Sequence, residues 1–370
     1  MSLPPFTSIV AGLPETVPFV GPEAIERRSG VPIRARLGAN ESAFGPSPLA
    51  LQAMRDEATK SWAYPDPENH DLRLALAAKL GVASDEIAVG EGADGLIGLA
   101  VRLFIAPGDV VVTSLGAYPT FNYHVAGYGG RLEYVRYQGV NEDLDGLLAA
   151  VIRTNARMVY LANPDNPMGS FWPAAAVEAF IAALPTTCVL VLDEAYGELA
   201  PQNGLPSIDT SRPNVLRLRS FSKAYGLAGM RCGYAIGNRQ VTGAFNRVRN
   251  HFGVNRLVQA GALAALQDEA HLMRVCYQIE ASRQRIVSIS NSIGLNALPS
   301  ATNFVTIDCG RDGAYAQRVL EELGKLGMFV RKPMAPGLDQ HIRISAAPEA
   351  EMAILEATLP IALRAAQGAS

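Results

Sequence analysis

The feature that most constrains this chain is a regular exchange, between residues 86 and 219, of short apolar runs with amphipathic helical segments. Runs such as Val110-Val111-Val112 and Val189-Leu190-Val191-Leu192 offer no polar face. A strand of that kind must be covered on both sides, which a parallel sheet between crossover helices provides. Six stretches read as strands: 86–89, 109–113, 132–137, 158–162, 188–192 and 215–219. Residues 94–104, 120–127, 144–154 and 174–184 read as the helices that cross between them. The fold class is therefore α/β.

The flanks differ. Residues 1–45 are a Pro- and Gly-rich arm with one amphipathic helix near 22–30, and 46–254 hold the alternating pattern. Residues 255–294 read as one long bridging helix, and 295–370 as a compact α+β domain. No apolar run is long enough to span a bilayer, and the first residues lack the basic and apolar regions of a signal peptide. A net charge of -3 without a basic run argues against a nucleic-acid or membrane surface. The four cysteines are scattered without a CxxC, and the five histidines show no ligand spacing. Neither a metal site nor a disulfide framework is expected, and the expected compartment is a reducing cytoplasm.

The chemistry centres on Ser220-Phe221-Ser222-Lys223-Ala224-Tyr225-Gly226, continuing to Arg231, directly after the last apolar run. Lys223 is one of five lysines, and no carboxylate stands beside it in sequence. A poorly solvated lysine loses its proton more readily, and the free amine attacks carbonyls. Other polar groups follow other strand ends: Gly90-Glu91-Gly92-Ala93-Asp94-Gly95, Asn163-Pro164-Asp165-Asn166, and Asp193-Glu194-Ala195-Tyr196. In an open parallel sheet such loops converge on one crevice. The GxGxxG run lacks the acidic residue that a dinucleotide site needs at the end of the next strand, where Thr113-Ser114 stand. A glycine turn that feeds backbone amides into a helix start still suits one phosphate. Taken together, an amine, an acid, two serines, an arginine and a helix N-terminus suit a phosphorylated aldehyde cofactor.

On these motifs the chain resembles the fold-type I pyridoxal-phosphate aminotransferases of class I/II, and within them the histidinol-phosphate aminotransferase branch, from Ala39-Asn40-Glu41 to Ile342-Arg343-Ile344-Ser345. The resemblance implies a large domain with a mostly parallel seven-stranded sheet covered by helices. It also implies a smaller α+β domain formed by the N-terminal arm and the C-terminal part. The implied cofactor is pyridoxal 5'-phosphate, joined to Lys223, with Asp193 on its ring nitrogen and Asn166 and Tyr196 on its phenolic oxygen. Gly92, Ala93, Asp94, Ser220, Ser222 and Arg231 would surround its phosphate, and Phe121 would stack on its ring. Tyr64 would reach that phosphate from the second subunit of a homodimer. Arg343 would bind the substrate's carboxylate, with Arg331 a second cation nearby and Ala39 and Asn166 lining the substrate site. Arg256 is a further candidate cation for an anionic substrate tail. The implied reaction moves an amino group between an L-amino acid or histidinol phosphate and 2-oxoglutarate. An aromatic aminotransferase, or a decarboxylase of phosphorylated amino acids, would use the same residues. Three positions depart from the branch's usual pattern: Met168 in Asn166-Pro167-Met168-Gly169, Ser42-Ala43 after Asn40-Glu41, and Phe121 where Tyr is common.

Overall fold

The structure is a computed structural model that describes residues 4–15, 19–202 and 204–368. The arm supplies helices α1 (Ser8–Ala11) and α2 (Pro22–Ser29) and strand β1 (Ala35–Arg36), and is followed by α3 (Pro48–Ala58) and α4 (His70–Leu80). Seven strands then build the large sheet: β2 (Ile87–Gly90), β3 (Val110–Ser114), β4 (Arg131–Val135), β5 (Met158–Ala162), β6 (Val189–Asp193), β7 (Val215–Ser220) and β8 (Gly233–Ile236). Helices α5 (Gly92–Phe104), α6 (Pro119–Gly127), α7 (Leu144–Thr154) and α8 (Ala174–Ala183) cross between them. The strand order is β2-β8-β7-β6-β5-β3-β4. All neighbours are parallel except β8, which runs antiparallel to both β7 and β2.

That seventh strand is absent from the six apolar runs legible in the sequence. Gly233-Tyr234-Ala235-Ile236 is only four residues long and follows a turn directly, so no periodicity marks it. The other six strands lie within two residues of their expected bounds. Their side chains fill two layers. Ile97, Val101, Phe121 and Val191 pack on the α5–α6 face, and Leu147, Val151, Phe180 and Leu190 on the α7–α8 face. Burial on both faces is the reason the strands are apolar throughout.

After α9 (Arg239–Ala244), the helix expected over 255–294 is two: α10 (Arg256–Gln267) and α11 (Glu269–Ser292). Asp268 separates them. It ends α10 and caps α11, accepting from the His271 amide, while Ser47 Oγ donates to its other oxygen at 2.5 Å. An aspartate that prefers capping to continuing breaks a helix at this point.

The C-terminal part adds β9 (Asn296–Ala297), β10 (Phe304–Asp308), α12 (Gly313–Lys325), β11 (Met328–Phe329), β12 (His341–Ser345) and α13 (Glu349–Gly368). Here β12, β10 and β9 form an antiparallel sheet, and β11 pairs in parallel with β1 of the arm. Leu37 enters the same core as Ile307, Ile342, Ile344 and Met352, so the arm and the C-terminal part share one hydrophobic interior.

Candidate active site

The loops after β2, β3, β5, β6 and β7 meet at one end of the large sheet around a cavity of about 310 Å³. Lys223 projects into it, three residues past the end of β7. The turn is pinned by Gly226 (φ +69°), where a Cβ would lie 2.5 Å from the Gly45 carbonyl oxygen. The Lys223 Nζ donates to the Asn40 carbonyl at 3.1 Å and sits 5.4 Å from the centre of the Tyr196 ring. Burial, aided by the Arg343 charge, brings the ammonium pKa down to about 8, against the opposing pull of Asp94 and Asp193. Although no carboxylate adjoins Lys223 in sequence, folding sets two of them in its field.

Asp193 ends β6 and lines the cavity. Its donors among the described residues are the Tyr160 hydroxyl at 2.7 Å and the Ala195 amide at 2.9 Å. Burial raises its pKa, only partly offset by these bonds. A buried carboxylate with hydrogen bonds but no adjoining cation is well placed to accept a protonated ring nitrogen. The Tyr196 hydroxyl also lines the cavity and accepts from Asn40 Nδ2 at 2.9 Å.

At the other end, α5 begins with Gly92 (φ +78°), where any Cβ would stand 2.6 Å from Arg231 Nη2. Only glycine lets the guanidinium approach the helix start this closely. Arg231, itself left-handed (φ 55°), donates to the Ser222 hydroxyl at 3.3 Å and the Ala228 carbonyl at 3.0 Å, and lies 3.5 Å from Asp94. Ala93, Asp94, Ser220 and Ser222 line the same end. Helix amides, hydroxyls and a guanidinium converge there as a cup for a doubly charged anion.

A second chamber of about 570 Å³ opens beside the first, and Ala39, Tyr118, Asn166 and Lys223 line both. Arg331 and Arg343 face the second chamber. Arg343 stands on β12, on the face opposite the buried Ile342 and Ile344. Its Nη1 donates to Asn166 Oδ1 and its Nη2 to the Gly38 carbonyl at 3.2 Å, while its Nε is buried without a partner. Arg331 likewise has an unpartnered buried Nε and stacks near Phe19, 5.2 Å from the ring centre. Two part-buried guanidiniums, each with a buried Nε that has no partner, give this chamber spare donors for an anion.

Two expectations need correction, those for Phe121 and Arg256. Phe121 is fully buried behind the cavity, stacked on Tyr160 at 4.6 Å, and lines neither chamber. The aromatic at the cavity is Tyr118, just before α6, its hydroxyl donating to Asp94 at 2.7 Å. Tyr118 precedes the helix with non-helical backbone and lines the cavity, whereas Phe121, inside α6, packs against the sheet. Tyr64 lies outside its own chain's cavity, 77% exposed and packed on Phe252. Arg256 lines neither chamber, because its guanidinium holds Glu57 at 3.2 Å and the Tyr64 carbonyl at 2.9 Å. Asn40 and Tyr160 were absent from the expected site. Asn40 carried a signal within the Asn40-Glu41 motif, and its left-handed backbone (φ 54°) suits asparagine. Nothing in the sequence distinguishes Tyr160 from an ordinary core tyrosine.

Residues 33–358 match the family model described as aminotransferase class I and II. The chain belongs to that family, and it is an enzyme that transfers amino groups. Among solved structures it is similar to the histidinol-phosphate aminotransferase of Sinorhizobium meliloti in complex with pyridoxal-5'-phosphate. The two share 54% identity over 98% of this chain and 99% of that one, with a TM-score of 0.96. Curated relatives include a histidinol-phosphate aminotransferase 2 of Ralstonia nicotianae, 39% identical over 90% of each chain. Another is a histidinol-phosphate aminotransferase 1 of Nitrosococcus oceani, 36% identical over 93% of each.

Proposed function

We propose that this enzyme transfers the amino group of histidinol phosphate to 2-oxoglutarate with pyridoxal 5'-phosphate as cofactor. The observation that carries the reading is the junction at Lys223. An amine of lowered pKa, the Asp193 carboxylate and the Arg343 guanidinium bound two chambers that open into each other there.

The residues present fit the cofactor. Ala93, Asp94, Ser220, Ser222 and Arg231 would hold its phosphate, and Gly92 is required because a side chain would fill that cup. Asp193 would hold the ring nitrogen, Tyr118 the ring face, and Tyr196 and the amide nitrogen of Asn166 the phenolic oxygen. When bound, the cofactor supplies an aldehyde for amino groups and a ring that draws off negative charge. Lys223 Nζ, uncharged above about pH 8, takes the proton from the amino-bearing carbon of the substrate. Asp193, anionic against the ring nitrogen, keeps that nitrogen protonated. Arg343 and Arg331 bind the substrate's anion, and two guanidiniums in one chamber suit a doubly charged phosphate. The relatives' descriptions favour transamination over decarboxylation or an aromatic donor.

The test compares histidinol phosphate, phenylalanine, tyrosine, glutamate and alanine as donors to purified protein showing a visible cofactor band. Histidinol phosphate should bleach the band with the highest kcat/KM, and inorganic phosphate should compete with it. Alanine as the best donor, with no inhibition by phosphate, would refute the proposed substrate.

A homodimer with shared sites belongs to this reading. Trp62 and Tyr64 are 87% and 77% exposed, and Tyr64 packs on the exposed Phe252, apolar surface that a second copy would cover. Tyr64 would then reach the partner's phosphate cup. Mixing inactive Tyr64→Ala and Lys223→Ala subunits should restore activity, because each hybrid keeps one intact site. Exchange without recovered activity would exclude Tyr64 from the shared site. The cytoplasmic location is also part of the reading, supported by four unpaired cysteines.

A further inference from the structure

Behind the cavity wall lies a carboxyl group to which the proposed chemistry gives no task. Glu142 precedes α7 and is 1% exposed. One oxygen lies 2.6 Å from the Ser114 hydroxyl at the end of β3, and the other accepts the Ala162 amide at the end of β5, at 2.9 Å. Its carbonyl accepts the Trp172 indole N–H at 2.9 Å. The loop after Ser114 carries Tyr118, and the loop after Ala162 carries Asn166, so one side chain bridges the roots of two loops that line the cavity.

No lysine or arginine nitrogen pairs with Glu142 among the described residues. The titratable groups around it are acids and phenols. Asp165 and Asp193 act on it directly; Tyr137 bonds to Asp165, Tyr160 bonds to Asp193, and Arg343 acts on Asp165 from the far side. Burial and the two neighbouring carboxyls push the Glu142 pKa well above the usual carboxylate range. A buried carboxyl without a cation takes up a proton rather than remain charged. In that form one oxygen still accepts from the Ala162 amide, while the Ser114 hydroxyl, which donates to the other oxygen in this structure, turns to accept from it.

Resting on the cofactor assignment above, we infer that Glu142 is a positioning residue that works as an uncharged acid, tying the Tyr118 loop to the Asn166 loop. The test uses the cofactor-loaded enzyme. It measures the rate at which pyridoxal 5'-phosphate leaves on dilution, the pH midpoint of the visible absorption, and kcat and KM separately. Glu142→Gln reproduces both contacts without a charge in any state. It should release cofactor at a rate within about twofold of wild type, since no buried bond is lost, and leave the midpoint in place. Glu142→Ala removes the tie and should speed release roughly tenfold or more. Should that variant fail to fold, Ser114→Ala cuts the same tie at its other end and is judged by the same criterion. The inference is overturned if Glu142→Gln lowers the midpoint by about one pH unit or more, as loss of a nearby anion would. It is overturned equally if the alanine variant releases cofactor at the wild-type rate. A wild-type protein that retains no cofactor would refute the function proposed above, which keeps the two failures distinct.

Discussion

Asp193 and Glu194 are consecutive buried carboxylates with opposite surroundings. Glu194, fully buried, receives three bonds from two guanidiniums: Arg217 Nε at 3.1 Å, Arg217 Nη2 at 2.5 Å and Arg219 Nε at 3.1 Å. Arg217 also donates to the Pro206 and Ser207 carbonyls, at 2.8 Å each, and so ties the 200–214 segment to the sheet. Asp193, on the cavity side, has a phenol and an amide but no arginine. The chain pairs the structural carboxylate directly with guanidiniums, and leaves the cavity-side one in the field of Lys223 but with no cation bonded to it, free for the proposed ring nitrogen. A fully paired carboxylate could not hold a ring nitrogen.

Removing the cavity-side amine should have the largest effect. Lys223→Ala should abolish turnover while the protein still folds and retains cofactor without a covalent link. Borohydride reduction of the wild type, followed by peptide mass mapping, should place the cofactor on Lys223. A stable adduct on another lysine would remove that residue from its role. Next comes the pair itself. Asp193→Asn should cost several powers of ten in kcat, on the order of 4 kcal/mol or more, with an unfolding midpoint at or above wild type. Glu194→Gln should show the reverse. Two uncompensated guanidiniums would cost about 3–5 kcal/mol of stability in denaturant titration, with kcat per folded molecule little changed. If the two variants have the same profile, the contrast between the neighbours is wrong.

The substrate side should respond more mildly. Arg343→Lys keeps the charge but loses the planar fork, so KM for the donor should rise by roughly 10- to 100-fold, more than kcat falls. The smallest effect concerns pH. Because the Lys223 pKa is lowered to about 8, only the fraction without its proton attacks an aldehyde, and that fraction grows with pH. Uptake of cofactor by the stripped enzyme should therefore quicken through pH 8 and level off above it. A rise centred near the ordinary lysine value of about 10.4 would show that the residue is not desolvated.

The legible parts of this molecule are those where local chemistry and global position coincide. The serine-lysine turn was readable because strand, turn and arginine follow one another within a dozen residues. The sandwiched sheet was readable because burial on both faces forces apolar runs. Strand β8 was hidden by its length and direction, and the break at Asp268 by the helical composition on both sides. Phe121 misled because it and Tyr118 are both aromatic and three residues apart; Pro119, at the first position of α6, marks where the crevice-facing residue must lie. Asn40 is marked by its motif but not by its bond to Tyr196, and Glu142 meets Ser114 and Ala162 from a distance in sequence, so no local pattern reports such pairings.

Strand β8 also has a consequence for how the chain acquires its shape. It sits between β7 and β2, with Gly233 opposite both Gly90 and Ser220, and Arg231 stands two residues before it. The anion cup joins the start of α5 to an arginine 137 residues beyond Asp94, a separation that makes its closure one of the slower contacts to form. Until residue 236 has been synthesised, β2 and β7 have no strand between them, and each offers an unpaired edge to other chains. Insertion of β8 covers the open side of β7 and one side of β2, which stays the outer strand of the sheet, and brings Arg231 to the cup. A nascent chain gains the ability to hold an anion as the open side of β7 is covered, so phosphate-bearing ligands would favour the chains that have completed the sheet.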